Sequence, residues 1–199
     1  MTGHGINFKK YEDLDKLQFQ KKELRRAVCV GRVAPVKRIE NIIETVSISH
    51  EKMKELVLVG PVEDKIYLKK IEKIASNFNV DLLVNGAMDR NQLRRFLLDF
   101  EYIFSETPKS TDKAVIEAAG NGLFLITSNI HSLELCGIFD LFTFLGKKPE
   151  SLTPLAQINF LYSLTEEERQ IGRRVVAEST RSQNNLHSTI DKICHELNT

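Results

Sequence analysis

Arg32 and Lys37 stand five residues apart in the stretch VGRVAPVKRIENIIETV, where an apolar run gives way to a helical pattern. An arginine presents a rigid fork of donors suited to phosphate oxygens, and a lysine a mobile point charge. Local stability does not explain Lys37, because a cation at a helix start opposes the helix dipole. Further along, Lys109-Ser110-Thr111 leads into TDKAVIEAAGNG, which reads as a short helix closed by glycine. Its leading end, Ser110, Thr111, Asp112 and Lys113, offers backbone N–H groups that attract anions. Two cations and a helix start converging on one crevice fit a diphosphate. No G-x-G-x-x-G or G-x-x-x-x-G-K-[ST] follows the first apolar run, which disfavours a dinucleotide or P-loop site.

Convergence needs a scaffold, and the chain alternates apolar runs with helical stripes. Ala27–Val30, Leu56–Val59, Asp81–Val84, Tyr102–Phe104 and Leu123–Ile126 read as strands, with Phe139–Leu145 as a sixth. Between them, Ile39–Ile48, the face Ile71, Ile74, Ala75 and Phe78, the face Leu93, Phe96, Leu97 and Phe100, and the segment at 111–122 read as helices. Unalternating runs are what strands covered on both faces look like. Right-handed crossovers then give an α/β, Rossmann-like doubly wound parallel sheet of about six strands, helices on both faces. Ligands in such sheets sit beyond the carboxyl ends of the strands. Gly31-Arg32, Gly60-Pro61, Asn85-Gly86, Ser105-Glu106 and Ser128-Asn129 occupy those ends.

Three spans follow: a polar lead-in over residues 1–26, the sheet domain over 27–150, and a helical tail over 151–199 packed on the same domain. Thr165-Glu166-Glu167-Glu168 has the form of a helix start, and Leu186, Ile190, Ile193 and Leu197 that of a final apolar stripe. A net charge of +1, with basic doublets scattered among acids, gives no general attraction for nucleic acid. No apolar run approaches the ~20 residues that span a bilayer. The first ten residues lack the apolar core of a signal peptide. Three cysteines without metal-ligand spacing, and histidines too far apart to share a metal, fit reduced thiols in a cytoplasmic protein. A peripheral position at the inner membrane surface, through the Lys21–Arg26 cluster, is the other expectation.

The stretch VGRVAPVKRIENIIETV resembles the opening of the C-terminal, donor-binding domain of GT-B glycosyltransferases of the retaining family 4. ELVLVGP, VNGAMDRNQLRRFL and SETPKSTDKAVIEAAGNGLFLITSN follow in matching order, and GHGINF is similar to the interdomain lead-in. The resemblance implies that Arg32 and Lys37 bind the donor's diphosphate and offset charge on the leaving group, beside Gly31. It implies that Glu117 accepts hydrogen bonds from ribose hydroxyls, and that backbone groups at Gly86 and Ala87 border the nucleobase. It further implies a metal-independent enzyme with no cofactor beyond its nucleoside-diphosphate sugar, acting on a glycan or lipid-linked acceptor in polysaccharide or glycoconjugate synthesis.

Two departures stand out. Lys109 occupies the position of the family's first glutamate, eight residues before Glu117, with Glu106 and Asp112 the nearest carboxylates. Only one Rossmann-like domain fits in 199 residues. The expectation is therefore the donor-binding half, whose partner is an N-terminal acceptor-binding domain, inactive in transfer by itself. The rival readings are a degenerate, non-catalytic module of the same fold, or another GT-B enzyme such as a sugar-nucleotide epimerase or a phosphorylase.

Overall fold

Apolar strands without alternation must find cover on both faces, and the chain supplies it by returning a helix after nearly every strand. The computed structural model describes Ile6, Phe8, residues 25–49 and residues 51–185. Arg26–Val30 (β1), Glu55–Val59 (β2), Asp81–Val84 (β3), Tyr102–Phe104 (β4) and Phe124–Ile126 (β5) form one parallel sheet. The order is β3-β2-β1-β4-β5. Ile39–Ile48 (α1), Lys65–Asn77 (α2), Arg90–Leu97 (α3) and Lys113–Ala119 (α4) make the crossovers. Ile130–Leu135 (α5), Ile138–Leu145 (α6), Pro154–Ser163 (α7) and Glu166–Asn184 (α8) follow. The sheet is doubly wound and Rossmann-like, as the alternation of patterns requires.

Two expectations need correction. Phe139–Leu145 is not a sixth strand but the body of α6, bounded by Gly137 and Gly146. Three phenylalanines suggested a strand, yet Ile138 and Leu141 are buried at helical spacing. Phe142 meets Phe139 and Phe160 edge-on, with ring centroids at 6.1 and 5.3 Å. The strand β3 is also not covered on both faces. It pairs on one side only, with β2, and Leu83 and Val84 are exposed. Edge position alone does not decide this, since β5, at the opposite edge, is buried with α4 and α7 packed against it. The strand β3 is exposed where helical cover is missing.

The start of α8 has the expected form. Thr165 Oγ1 accepts from the Glu168 amide at 3.2 Å, and Glu168 Oε2 accepts from the Thr165 amide at 2.9 Å. This helix braces α4. Arg173 Nε donates to the Gly122 carbonyl at 2.9 Å and Arg181 Nε to the Gly120 carbonyl at 2.6 Å, satisfying oxygens at the trailing end of α4. Burial pulls the Arg173 guanidinium down to about 10, against the opposing pull of Glu101. The apolar stripe at Leu186–Leu197 and most of the lead-in lie outside the described residues.

The position of α1 depends on a cap that the sequence does not advertise. Arg38, at its N-cap, makes no side-chain capping bond. Instead the Tyr67 hydroxyl, on α2, accepts from the Ile39 amide at 2.8 Å and donates to the Glu40 carboxylate. Tyr67→Phe leaves that buried amide without a partner and should cost about 1–2 kcal/mol in a urea titration. Burial, then the bond to Glu40, raises the phenol above its ordinary pKa. Its contribution is therefore present below about pH 10 and lost as pH rises from there.

Candidate functional site

In the sheet order, β1 and β4 are neighbours, but the chain leaves them in opposite directions, towards β2 and towards β5. That reversal opens a crevice beyond their carboxyl ends. Lys37 crosses it. The residue closes a 3-10 turn, Pro35–Lys37, and its side chain is almost fully buried. Nζ donates to Asp112 Oδ2 at 2.5 Å and to Thr107 Oγ1 at 3.3 Å, both in the connection after β4. Glycine at position 31 is what lets the lysine take this route. Its φ is +143°, and a Cβ there would sit 3.0 Å from Lys37 Cε.

Asp112 is the N-cap residue of α4 but makes no side-chain capping bond, because its carboxylate has turned to Lys37 and Thr107. The amides of Val115 and Ile116 reach the Asp112 carbonyl, at 3.0 and 3.2 Å. Those of Lys113 and Ala114 have no partner among the described residues. An ammonium and two unengaged N–H groups thus lie at one helix start, flanked by a carboxylate. Just below, the Cys29 thiol is pushed up to about 12 by burial, with the charge of Lys37 pulling the other way. It is a packing residue, not a nucleophile.

The other expected residues divide. Arg32 does not join Lys37: its Nη1 lies 3.1 Å from Glu63 Oε2, on the connection after β2. Both partners are about half exposed, and such pairs contribute ~0–1 kcal/mol, so little holds the guanidinium in that pose. Glu117 sits on α4 with Oε1 2.6 Å from Arg90 Nη2. Thr111 is turned inward, its hydroxyl 2.6 Å from Ser132 Oγ in the core, so that side chain packs the loop rather than facing the crevice. Ser110 is exposed, and its carbonyl accepts from Asn129 Nδ2 at 3.3 Å. The Gly86 carbonyl accepts from the Gly60 amide at 2.7 Å. Ala87 borders an open depression with Met88, Gln92 and Phe96.

Lys109 is exposed, with a φ of +61°. Neither nearby carboxylate is idle. Glu106 accepts from the Ser128 amide at 2.8 Å and its hydroxyl at 2.5 Å, and Asp112 holds Lys37. Sequence reasoning missed Thr107, Glu63 and Arg90. The pattern Asp89-x-x-Gln92 marks a capping box, which places Arg90 at a helix start but says nothing of its partner. Among the described residues, no three His, Cys, Asp or Glu side chains are grouped to hold a metal ion. No helix there is long and apolar enough to cross a membrane.

A five-stranded doubly wound parallel sheet with helices on it and the long helix α8 bracing α4 matches, in fold alone, one half of the GT-B architecture. Solved structures agree in fold. HepE of Anabaena, in complex with UDP-glucose, superposes with a TM-score of 0.70 at 12% identity, over 98% of this chain and 56% of that one. A glycosyltransferase from Rickettsia africae gives 0.73 at 15%, over 96% and 54%. The pneumococcal O-GlcNAc transferase GtfA, in complex with UDP and GlcNAc, gives 0.63 at 14%, over 91% and 37%. The chain spans about half the length of the first two. The sequence matches no protein-family model and no curated protein.

Proposed function

We propose that this chain is the donor-binding half of a retaining, metal-independent glycosyltransferase that moves a sugar from a nucleoside-diphosphate sugar to a glycan or glycoconjugate. One observation carries the reading: Lys37 lies across the switch-point crevice with its ammonium at the leading end of α4, beside the unengaged amides of Lys113 and Ala114. A diphosphate seated there meets positive charge on two sides. As the bond to the sugar breaks, negative charge grows on the departing phosphate, and donors fixed in advance stabilise it without reorganising. Arg32 swings from Glu63 to add a second cation. The ribose rests on Glu117 and the base against Gly86 and Ala87. The acceptor belongs to a second domain, and half of a catalytic crevice positions only half of the reactants.

Calorimetric titration with UDP, GDP and ADP tests the reading. At least one should bind with micromolar to millimolar affinity, and Arg32→Ala should weaken it about tenfold, the effect of one charge-assisted hydrogen bond. No binding of any of the three to the folded protein would refute it.

One observation favours a degenerate, non-catalytic module instead: Lys109 replaces a carboxylate, and Glu106 and Asp112 are already engaged. Lys109→Glu in the complete protein separates the readings. Transferase activity before the change rejects degeneracy, and activity appearing only after it supports degeneracy.

A further inference from the structure

Arg90 joins the two walls of the crevice that would hold a nucleoside. It is the first residue of α3, just after the turn through Gly86 and Ala87. Its backbone is fixed by the capping box around it. Asp89 Oδ1 accepts from the amides of Asn91 and Gln92 at 2.8 and 2.9 Å, and Gln92 Oε1 accepts from the Asp89 amide at 3.0 Å. From that anchored start the side chain reaches α4, where Nη2 meets Glu117 Oε1 at 2.6 Å. The pair is asymmetric in burial: the Glu117 side chain is 12% exposed and that of Arg90 51%. A largely buried carboxylate needs a charged or hydrogen-bonding partner to be held in place. An ionised carboxylate has about four acceptor sites, so the bond to Arg90 leaves capacity for two hydroxyls.

We propose that Arg90 is the positioning residue for Glu117, and that it thereby sets the preference of this site for a ribose bearing both its 2′ and 3′ hydroxyls. The inference rests on the nucleotide-binding reading above and assigns a residue that reading leaves out. Arg90 does not touch the reacting atoms. It holds the ribose acceptor in one rotamer and ties the turn beside the base to the helix beside the sugar. A glutamate freed of this tie has to be ordered when the nucleotide binds, and that cost falls only on ligands that use it.

The test compares ribonucleotide with dideoxyribonucleotide. Wild-type protein, Arg90→Ala and Glu117→Gln are titrated with UDP, GDP and ADP and with the 2′,3′-dideoxy form of each, after circular dichroism and thermal melting show the variants folded. The wild type should prefer the ribose form by about tenfold or more. Arg90→Ala should lose most of that preference by weakening the ribose form alone, with the dideoxy form held within about twofold. Glu117→Gln should do the same. A merely structural arginine would weaken both forms together and keep their ratio, and that result would overturn the proposal. Wild-type binding without ribose preference would overturn the role of Glu117, and no nucleotide binding at all would overturn the functional reading itself.

Discussion

Lys37→Met is expected to lower nucleoside-diphosphate affinity by about 100-fold or more. Methionine keeps the length and much of the volume of the side chain, so the route over Gly31 stays filled. What disappears is the charge. Asp112, mostly buried itself, then faces the crevice with the Thr107 hydroxyl as its remaining donor among the described residues, and an anion arriving there meets an anion. Breaking a buried pair from one side costs about 3–5 kcal/mol, somewhat less here because Asp112 retains some exposure to water. The melting temperature should therefore fall together with affinity. The double variant Lys37→Met, Asp112→Asn separates the two effects: stability returns in large part, and binding does not. Asp112→Asn alone keeps the ammonium and removes its competitor, so its affinity should equal or exceed that of the wild type. Binding by Lys37→Met within a few-fold of wild type would show that the buried ammonium is structural.

Gly60→Ala should be the most destabilising single-methyl addition at the carboxyl end of the sheet, at about 4 kcal/mol or more in chemical denaturation. Gly60 follows β2 with a φ of +151°, a conformation that residues with a Cβ rarely adopt. A Cβ there would lie 2.0 Å from the Gly31 carbonyl oxygen and 2.6 Å from its carbon. Those are backbone atoms and cannot rotate away. The ends of β1 and β2 must separate, and the bond from the Gly31 amide to the Val59 carbonyl, 2.9 Å long, goes with them. Since domains are stable by about 5–15 kcal/mol, the variant should be partly unfolded at modest urea concentrations. An unfolding midpoint close to wild type would mean that the two strand ends lie farther apart than described.

The scaffold was legible because its signals are local. Ile39, Ile42, Ile43 and Val46 mark a helix by their spacing, and all four are buried on the inner face of α1. Apolar runs ending in glycine mark strands that stop at a crevice. Where local signals conflict, as in the phenylalanine-rich segment of α6, neighbours decide, and the neighbours come from elsewhere in the chain. The same holds for coverage of β3, which depends on the helices that pack over it and not on its own residues.

The site was legible in outline and illegible in its pairings. Lys37 and Asp112 were both visible as charges near strand ends, but they are 75 residues apart, and no periodicity joins them. Arg32 with Glu63 and Arg90 with Glu117 are likewise long-range pairs, 31 and 27 residues apart. In each, a cation stands against an acid brought by a different crossover. Sequence spacing gives the element a residue sits on. Which acid a cation meets depends on how the elements pack.

On this reading a nucleoside diphosphate seats where Lys37 meets the start of α4. Amide chemical-shift mapping of the isotopically labelled protein during titration with UDP, GDP or ADP tests it most directly. The largest shifts should fall at Gly31, Lys113 and Ala114, with Gly86 and Ala87 following, and should vanish in Lys37→Met. Shifts confined to another part of the surface, or unchanged by that substitution, would contradict it.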